Sequence, residues 1–321
     1  MNRGADIAVV GSGAWGTALA VLYAQAGRKT VLVARDAARA QALATSRINP
    51  RLPGAVLPPS LAIAEVPPEA ALTLLCPPFQ HLRATLARLP DASGALVLCC
   101  KGMERESGAL GPEIVADCAI ARPVALLTGP NFAHEIAAGL PAAAVLAMVD
   151  ASARHVLLTA LATPKFRLYG SADAMGAALG GAAKNVIAIA AGAVIGAGLG
   201  ENARAALITR GLAEIARLAV ALGGSADTIA GLAGLGDLIL TATGGASRNY
   251  RAGLALGQGK KPDTAAGVIE GIATAPALLA RAHAAGCDMP ITESVTLLLA
   301  GQQSLVQSMD RLMRRDLRDE A

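Results

Sequence analysis

The chain has 321 residues, enough for a large core and for two domains, and a mild basic excess of +4. Its 54% hydrophobic and 16% charged residues exclude disorder, while the charge is too weak and dispersed to argue for nucleic acid and 2% aromatics argue against stacking grooves for bases or sugars. Mean hydropathy is +0.48, yet the charge-free runs Asn185–Gly200 and Ser294–Met309 have 16 residues each, short of the roughly 20 that a spanning helix needs, and Gly11–Gly16 interrupts the apolar stretch near the N-terminus.

Ile7–Val10 predicts a strand that runs directly into glycines. A helix over Thr17–Ala26 follows, closed by Gly27, then a strand over Thr30–Val33 and a short helix over Ala40–Ala44. The proline-rich Asn49–Ser60 reads as loop. Leu72–Cys76 predicts a strand stopped by Pro77 and Pro78, Phe79–Arg88 a helix, and Ala95–Cys100 a strand ending at Lys101-Gly102. Val124–Thr128 predicts a strand ending at Gly129-Pro130; Ala142–Met148 and Phe166–Tyr169 are further strands. This alternation implies a parallel sheet with helices on both faces, whose working loops follow the C-terminal strand ends. Beyond Tyr169 the spacing is helical, over Ala174–Ile195, Ala203–Leu222, Thr264–Ala285 and Ile291–Leu312. The expected organisation is an α/β, doubly wound domain over 1–170 and an all-α domain over 171–321. Arg311 to Asp319 reads as a solvated helix end.

Cys76, Cys99, Cys100, Cys118 and Cys287 are odd in number and form no C-x-x-C pair. They read as small core residues, with adjacent Cys99 and Cys100 on opposite faces of a strand, and no metal-ligand spacing is present. With no signal-peptide pattern at the N-terminus, a cytoplasmic protein is expected.

Three motifs carry chemistry. Gly11-Ser12-Gly13-Ala14-Trp15-Gly16 matches G-x-G-x-x-G between a strand and a helix, the Rossmann-type dinucleotide turn. Gly11 permits the tight turn, Gly13 lets a pyrophosphate approach, Gly16 lets helix and strand pack, and the helix N-terminus supplies N–H donors. The second strand ends in Arg35, where NAD-specific sites usually carry an acid. Arg35 either forks onto a 2′-phosphate or is a solvated loop residue. If it faces the ribose, Asp36 is expected to point away.

The second motif centres on Lys184, alone in a long stretch of small apolar residues. Buried, it is a proton donor with a lowered pKa; at the surface it merely snorkels. The third is Gly231-Leu-Ala-Gly-Leu-Gly-Asp237 with Thr241 one turn on, followed by Ser247-Arg248-Asn249. Asp237 is either a helix N-cap or a site residue, and Arg248 with its neighbours either holds a phosphate or closes a loop. Lys101 and Asn131 lie at strand ends on the same edge. His134 lies near the crevice but belongs to no motif.

Together these residues resemble the bacterial NAD(P)-dependent glycerol-3-phosphate dehydrogenases. The matching segments are Gly11–Ala20, Lys101-Gly102, Gly129–Ala133, Gly180–Ala190, Asn202–Glu214, Gly231–Leu240, Ser247–Asn249 and Val268–Gly271. The resemblance implies reduction of dihydroxyacetone phosphate to sn-glycerol 3-phosphate, a phospholipid precursor, by a homodimer. It implies Lys184 as proton donor and acceptor, with Asp237 beside it and Lys101 touching both cofactor and substrate. Gly129, Asn131, Asn185, Thr241, Ser247, Arg248 and Asn249 would line the substrate site. Gly11, Ser12, Gly13, Ala14, Trp15, Gly16, Arg35, Ala133, Arg248, Val268 and Glu270 would line the cofactor site. NADP or NAD is expected as cofactor, with NADPH preferred.

The chain departs from that pattern at three places. Asn131 replaces the usual Ser or Thr, the Asn49-Pro-Arg-Leu-Pro53 loop is one residue short and lacks its aromatic, and Cys76-Pro-Pro lacks a Ser hydroxyl. Two other readings stay open: a related dehydrogenase for a 3-hydroxy acid or ketopantoate, and a non-catalytic dinucleotide sensor. The Arg248 cluster argues against the first. The joint presence of Lys101, Lys184, Asp237 and Arg248 argues against the second.

Overall fold

A computed structural model describes residues 4–91, 94–264 and 267–314. Eight strands form one sheet: β1 (Ala5–Val10), β2 (Thr30–Val33), β3 (Ala62–Ala64), β4 (Ala70–Leu75), β5 (Ala95–Leu98), β6 (Val124–Thr128), β7 (Ala142–Ala147) and β8 (Phe166–Ser171). Their order is β3-β2-β1-β4-β5-β6-β7-β8. The chain therefore leaves β1 in one direction for β2 and β3, then crosses to the other side for β4. Such a reversal opens a crevice at the C-terminal strand ends, the usual ligand position in doubly wound sheets.

Alternate strand residues serve two cores, as a period of two requires. Val97 packs with the helix Ala14–Gln25 on one face, whereas Leu96 and Leu98 pack with the helix Ala174–Gly196 on the other. Cys99 and Cys100 divide the same way, and both are buried.

One pairing departs from the expected parallel sheet. β6 and β7 run antiparallel, with Leu127 opposite Leu146. The intervening helix Ala133–Ala137 has five residues, a rise of about 7.5 Å, too short to return along the roughly 20 Å of a strand. The chain therefore re-enters the sheet from the end it left. The strand β3 and the helices Gly111–Asp117, Ala133–Ala137, Ala151–Leu161 and Arg248–Gly257 had no predicted counterpart.

Every element after Ser171 among the described residues is helical. The 23-residue helix Ala174–Gly196 is long and apolar enough to cross a membrane by composition, but it is the buried axis of this half, 94% of its most apolar window lying inside the protein. It crosses the helix Arg248–Gly257 at backbone distance. A Cβ on Gly192 would collide with the Tyr250 carbonyl, and one on Gly253 with the Ile189 carbonyl.

The helix expected over Thr264–Ala285 begins only at Glu270, and residues 265 and 266 lie outside the described chain. The one expected over Ile291–Leu312 is two, Pro290–Leu299 and Leu305–Met313. Gly301, at φ +67°, ends the first turn of chain, and Ser304 caps the second helix by accepting from Gln307 N at 3.2 Å. Arg311 there pairs with Glu293; residues 315–319 of the basic end lie outside the described chain.

Candidate active site

The glycine turn sits at the C-terminal end of β1, where the strand order reverses. Gly11 has φ +114°, and a Cβ there would stand 2.7 Å from the Cys76 carbonyl oxygen. Only glycine fits, because both the conformation and the space exclude a side chain. Gly16 packs against the Gly11 carbonyl, whereas a Cβ on Gly13 would meet open space. Gly13 is thus free on the side where a phosphate would approach, and Gly13 is also the N-cap of the helix Ala14–Gln25. Ser12 is buried; Ala14, Trp15 and Ala133 join the same apolar cluster, with the Trp15 Nε1 donor buried and without a partner among the described residues.

Asn49 braces this turn, a role the loop reading missed. It is fully buried, and its Nδ2 donates to the Ser12 carbonyl at 3.1 Å and to Thr17 Oγ1 at 2.6 Å. An asparagine opening a proline-rich stretch carries no local signal for such a long-range contact.

The charged centre is built by three segments. Asp237 follows a π-helical turn, Leu232–Gly236, pressed against the helix Ala174–Gly196. There a Cβ on Gly180 would fall 2.7 Å from the Ala233 carbonyl. Asp237 is not the N-cap, a position held by Gly236. Its carboxylate, 1% exposed, instead accepts from two lysines: Oδ1 from Lys184 Nζ, and Oδ2 from Lys101 Nζ at 2.6 Å. Lys184 also donates to Thr241 Oγ1 at 2.8 Å, and Thr241 in turn donates to the Asp237 carbonyl at 2.6 Å. Lys101 also donates to the carbonyl of Gly129 at 2.9 Å, and Gly129 holds φ +141°.

Lys184 is buried and does not snorkel. Burial pushes its ammonium pKa down to about 8; the Lys101 charge adds to this, and Asp237 opposes it without prevailing. An ammonium has three N–H donors. Among the described residues two of them are taken on Lys184, which leaves one without a protein acceptor there. The side chain of Asn131 stands in the same strand-end loop as Gly129, and its Oδ1 is buried without a partner among the described residues. The Thr128 hydroxyl, which the sequence did not single out, is in the same state.

The third segment is less uniform than expected. Asn249 Nδ2 donates to Asn185 Oδ1 at 2.9 Å, and Asn249 Oδ1 accepts from Gly271 N at 2.9 Å. These two amides lock helices together beside Lys184. Ser247 is the N-cap of the helix Arg248–Gly257, accepting from Tyr250 N at 3.2 Å. Arg248 reaches out of that first turn toward Gly267, where a Cβ would stand 2.9 Å from its Nη1. Val268 is half exposed. Glu270 Oε1 accepts from Phe79 N at 3.2 Å, just past the end of β4, while its Oε2 is buried without a partner among the described residues. Burial raises the Glu270 pKa. His134 lies apart, exposed and stacked on Phe132 at 5.6 Å.

At the end of β2 the expectation for Asp36 fails. Arg35 and Asp36 form an ion pair, Nε to Oδ2 at 2.7 Å, with Arg35 79% exposed. The strand closes at Val33, so the alternation that would part the two side chains no longer applies. Asp36 is the N-cap of the helix Ala37–Ser46.

Comparison with known proteins matches both halves of the chain to one family. The profile of the NAD-dependent glycerol-3-phosphate dehydrogenase N-terminus matches residues 6–154, and that of the C-terminus matches residues 173–310. The chain is 73% identical over 320 residues to glycerol-3-phosphate dehydrogenase [NAD(P)+] of Acidiphilium cryptum, covering 100% of both. It is 49% identical to the enzyme of that name from Gluconobacter oxydans, covering 98% of both. The crystal structure of glycerol-3-phosphate dehydrogenase from Coxiella burnetii superposes with a TM-score of 0.90 at 35% identity, over 97% of this chain and 99% of that one. With both halves matched and the shared fold carrying the glycine turn and the Lys–Asp–Lys centre on one edge, the chain belongs to the NAD-dependent glycerol-3-phosphate dehydrogenase family.

Proposed function

We propose that the chain reversibly reduces dihydroxyacetone phosphate to sn-glycerol 3-phosphate with NAD(P)H, for phospholipid synthesis. The carrying observation is the buried Asp237 carboxylate shared by Lys184 and Lys101 on the edge where the glycine turn opens. The open side of Gly13, and the Trp15 Nε1 and Glu270 Oε2 that are buried without a partner among the described residues, fit a dinucleotide laid along that edge. When bound, the nicotinamide supplies a hydride to the substrate carbonyl carbon.

The protein's own groups do the rest. Lys184 gives its proton to the carbonyl oxygen and takes it back in the reverse direction, and its charge offsets the negative charge that develops there. Asp237 and Thr241 fix the direction of the Lys184 ammonium. Lys101, Gly129 and Asn131 line the substrate from the strand side, with Asn185, Asn249 and Ser247 shaping the helical side. Arg248, exposed at a helix N-terminus, takes the substrate phosphate. Residues 1–170 form the dinucleotide domain and 171–321 the substrate domain. NADPH is preferred over NADH, a homodimer is the working assembly and the cytoplasm its place; these three rest on the arginine at the end of β2, the family resemblance and the absence of cysteine pairing.

NADPH oxidation measured side by side with dihydroxyacetone phosphate, ketopantoate and acetoacetyl-CoA tests the reading. Turnover with the first alone is expected. Turnover only with either of the others would replace it. Sedimentation velocity reports the assembly.

A further inference from the structure

The end of β2 holds more positive charge than its neighbours neutralise. Arg35, Arg39 and Arg51 belong to one hydrogen-bonded network containing a single carboxylate, Asp36. Asp36 Oδ2 accepts from Arg35 Nε at 2.7 Å, and Asp36 Oδ1 accepts from the backbone N–H of Arg39 at 2.7 Å. The Arg39 guanidinium donates through Nη2 to Asn49 Oδ1, which also accepts from the backbone N–H of Arg51 at 3.0 Å. Asn49 in turn grips Ser12 and Thr17 in the glycine turn. The path from the Arg39 side chain to the nucleotide turn is therefore one residue long.

The two leading arginines differ in kind. Arg35 is 79% exposed and spends its Nε on Asp36, so its charge is partly cancelled and screened by salt. Arg39 is only partly exposed, and its side chain is held by a neutral amide rather than by a carboxylate. Burial first, then the charges of Arg51 and Arg35, lower the pKa of its guanidinium, and the Asp36 charge opposes them. A planar fork fixed in advance loses little freedom on binding a phosphate.

We propose that Arg39, fixed by Asn49, is the principal residue selecting a 2′-phosphorylated dinucleotide, with Arg51 adding to its field and Arg35 secondary. This rests on the dinucleotide reading of the glycine turn. Trp15, the chain's single tryptophan, lies in that turn and supplies a binding readout independent of turnover. Its fluorescence is titrated with NADPH, NADH, 2′,5′-ADP and 5′-AMP. Arg39→Met is expected to weaken NADPH and 2′,5′-ADP by about 10-fold or more, the range of a charge-assisted hydrogen bond, and to leave NADH and 5′-AMP within about 2-fold. Arg51→Met, which keeps the backbone bond to Asn49, is expected to weaken only the 2′-phosphorylated ligands, and less. Arg35→Met is expected to fall between wild type and Arg39→Met. Partial rescue by Arg39→Lys would support a charge role.

Equal weakening of all four ligands in Arg39→Met would reduce Arg39 to a brace for Asn49 and overturn the selection role. A larger selective loss in Arg35→Met than in Arg39→Met would overturn the ranking. Wild-type protein that binds none of the four would overturn the dinucleotide site itself, a result separate from either.

Discussion

Lys101 and Asp237 meet at 2.6 Å although 136 residues separate them, the lysine just past a strand of the sheet and the aspartate at the start of a helix in the other half. The contact joins the edge that carries the glycine turn to the helices that carry Lys184. It also makes the Asp237 carboxylate common property: each oxygen serves one lysine. A change at any of the three is felt by the other two, and single substitutions here will not add.

Lys184→Ala is expected to lower kcat by about 10²–10⁴-fold, the usual worth of a positioned acid or base. Quenching of Trp15 fluorescence by NADPH should persist, because Lys184 contacts Asp237 and Thr241 and not the glycine turn. Steady-state assay and titration of the same preparation separate the two effects. A variant with near-normal kcat would remove Lys184 from proton transfer.

The pH profile gives a sharper test. Lys184 is held at about 8 against an ordinary 10.5, with burial the leading cause. Reduction needs the ammonium, so kcat/KM for dihydroxyacetone phosphate is expected to fall as pH rises through about 8. Oxidation of glycerol 3-phosphate needs the amine and is expected to rise over the same interval. Asp237 raises this pKa and Lys101 lowers it. Asp237→Asn should therefore move the break to lower pH, and Lys101→Met should move it to higher pH. Movement of both in one direction would assign the break to another group. For stability the sign is set by the depressed value. The unfolded chain holds this proton up to 10.5 and the folded chain releases it from about 8, so this group's contribution makes stability rise across that window.

These outcomes depend on features of very unequal visibility in the sequence. The glycine turn was legible because its reasons are local: a strand, a φ that only Gly11 adopts, and a helix start, all within a few residues. Lys184 was legible as a question, since an isolated lysine among small residues must be either buried or at a surface. Burial itself, and the partners that decide its proton affinity, come from segments 53 residues away and more. Asn49 was read as loop because its task is performed by a side chain reaching back to Ser12 and Thr17. Glu214, the last residue of the distinctive 202–214 segment, turns out to cap the helix Pro290–Leu299, accepting from Ile291 N at 2.7 Å. The antiparallel β7 escaped for a similar reason, since a strand's direction depends on whether the preceding connection can cross the sheet.

Arg248→Ala should act on recognition more than on chemistry. Loss of a charged partner for a phosphate costs on the order of 2–5 kcal/mol when buried. Arg248 is exposed in the free protein, so the lower end of that range is expected, read as a rise in KM for dihydroxyacetone phosphate. Unphosphorylated dihydroxyacetone is expected to be a poor substrate for wild type and to lose little in the variant. Equal losses for both compounds would take the phosphate away from Arg248.

Gly253→Ala tests whether helix contact at backbone distance supports the site. The added methyl would collide with the Ile189 carbonyl, a rigid group that cannot turn aside as a side chain would. The helices Arg248–Gly257 and Ala174–Gly196 must then move apart, at a cost of about 1–3 kcal/mol or more for overpacking. In a chain of this size that lowers Tm by several degrees, roughly 2–4 °C per kcal/mol. The displaced helix begins with Arg248 and Asn249, and Asn249 holds Asn185 at 2.9 Å next to Lys184. Activity at temperatures well below the new Tm should therefore fall as well. Gly223→Ala supplies the contrast: that glycine has φ +81° but no neighbour within 4 Å of a Cβ. It is expected to lose stability through backbone strain alone and to keep its kcat. If Gly253→Ala matched Gly223→Ala in kcat at equal loss of Tm, the close crossing would be a stabilising contact with no bearing on the alignment of Lys184.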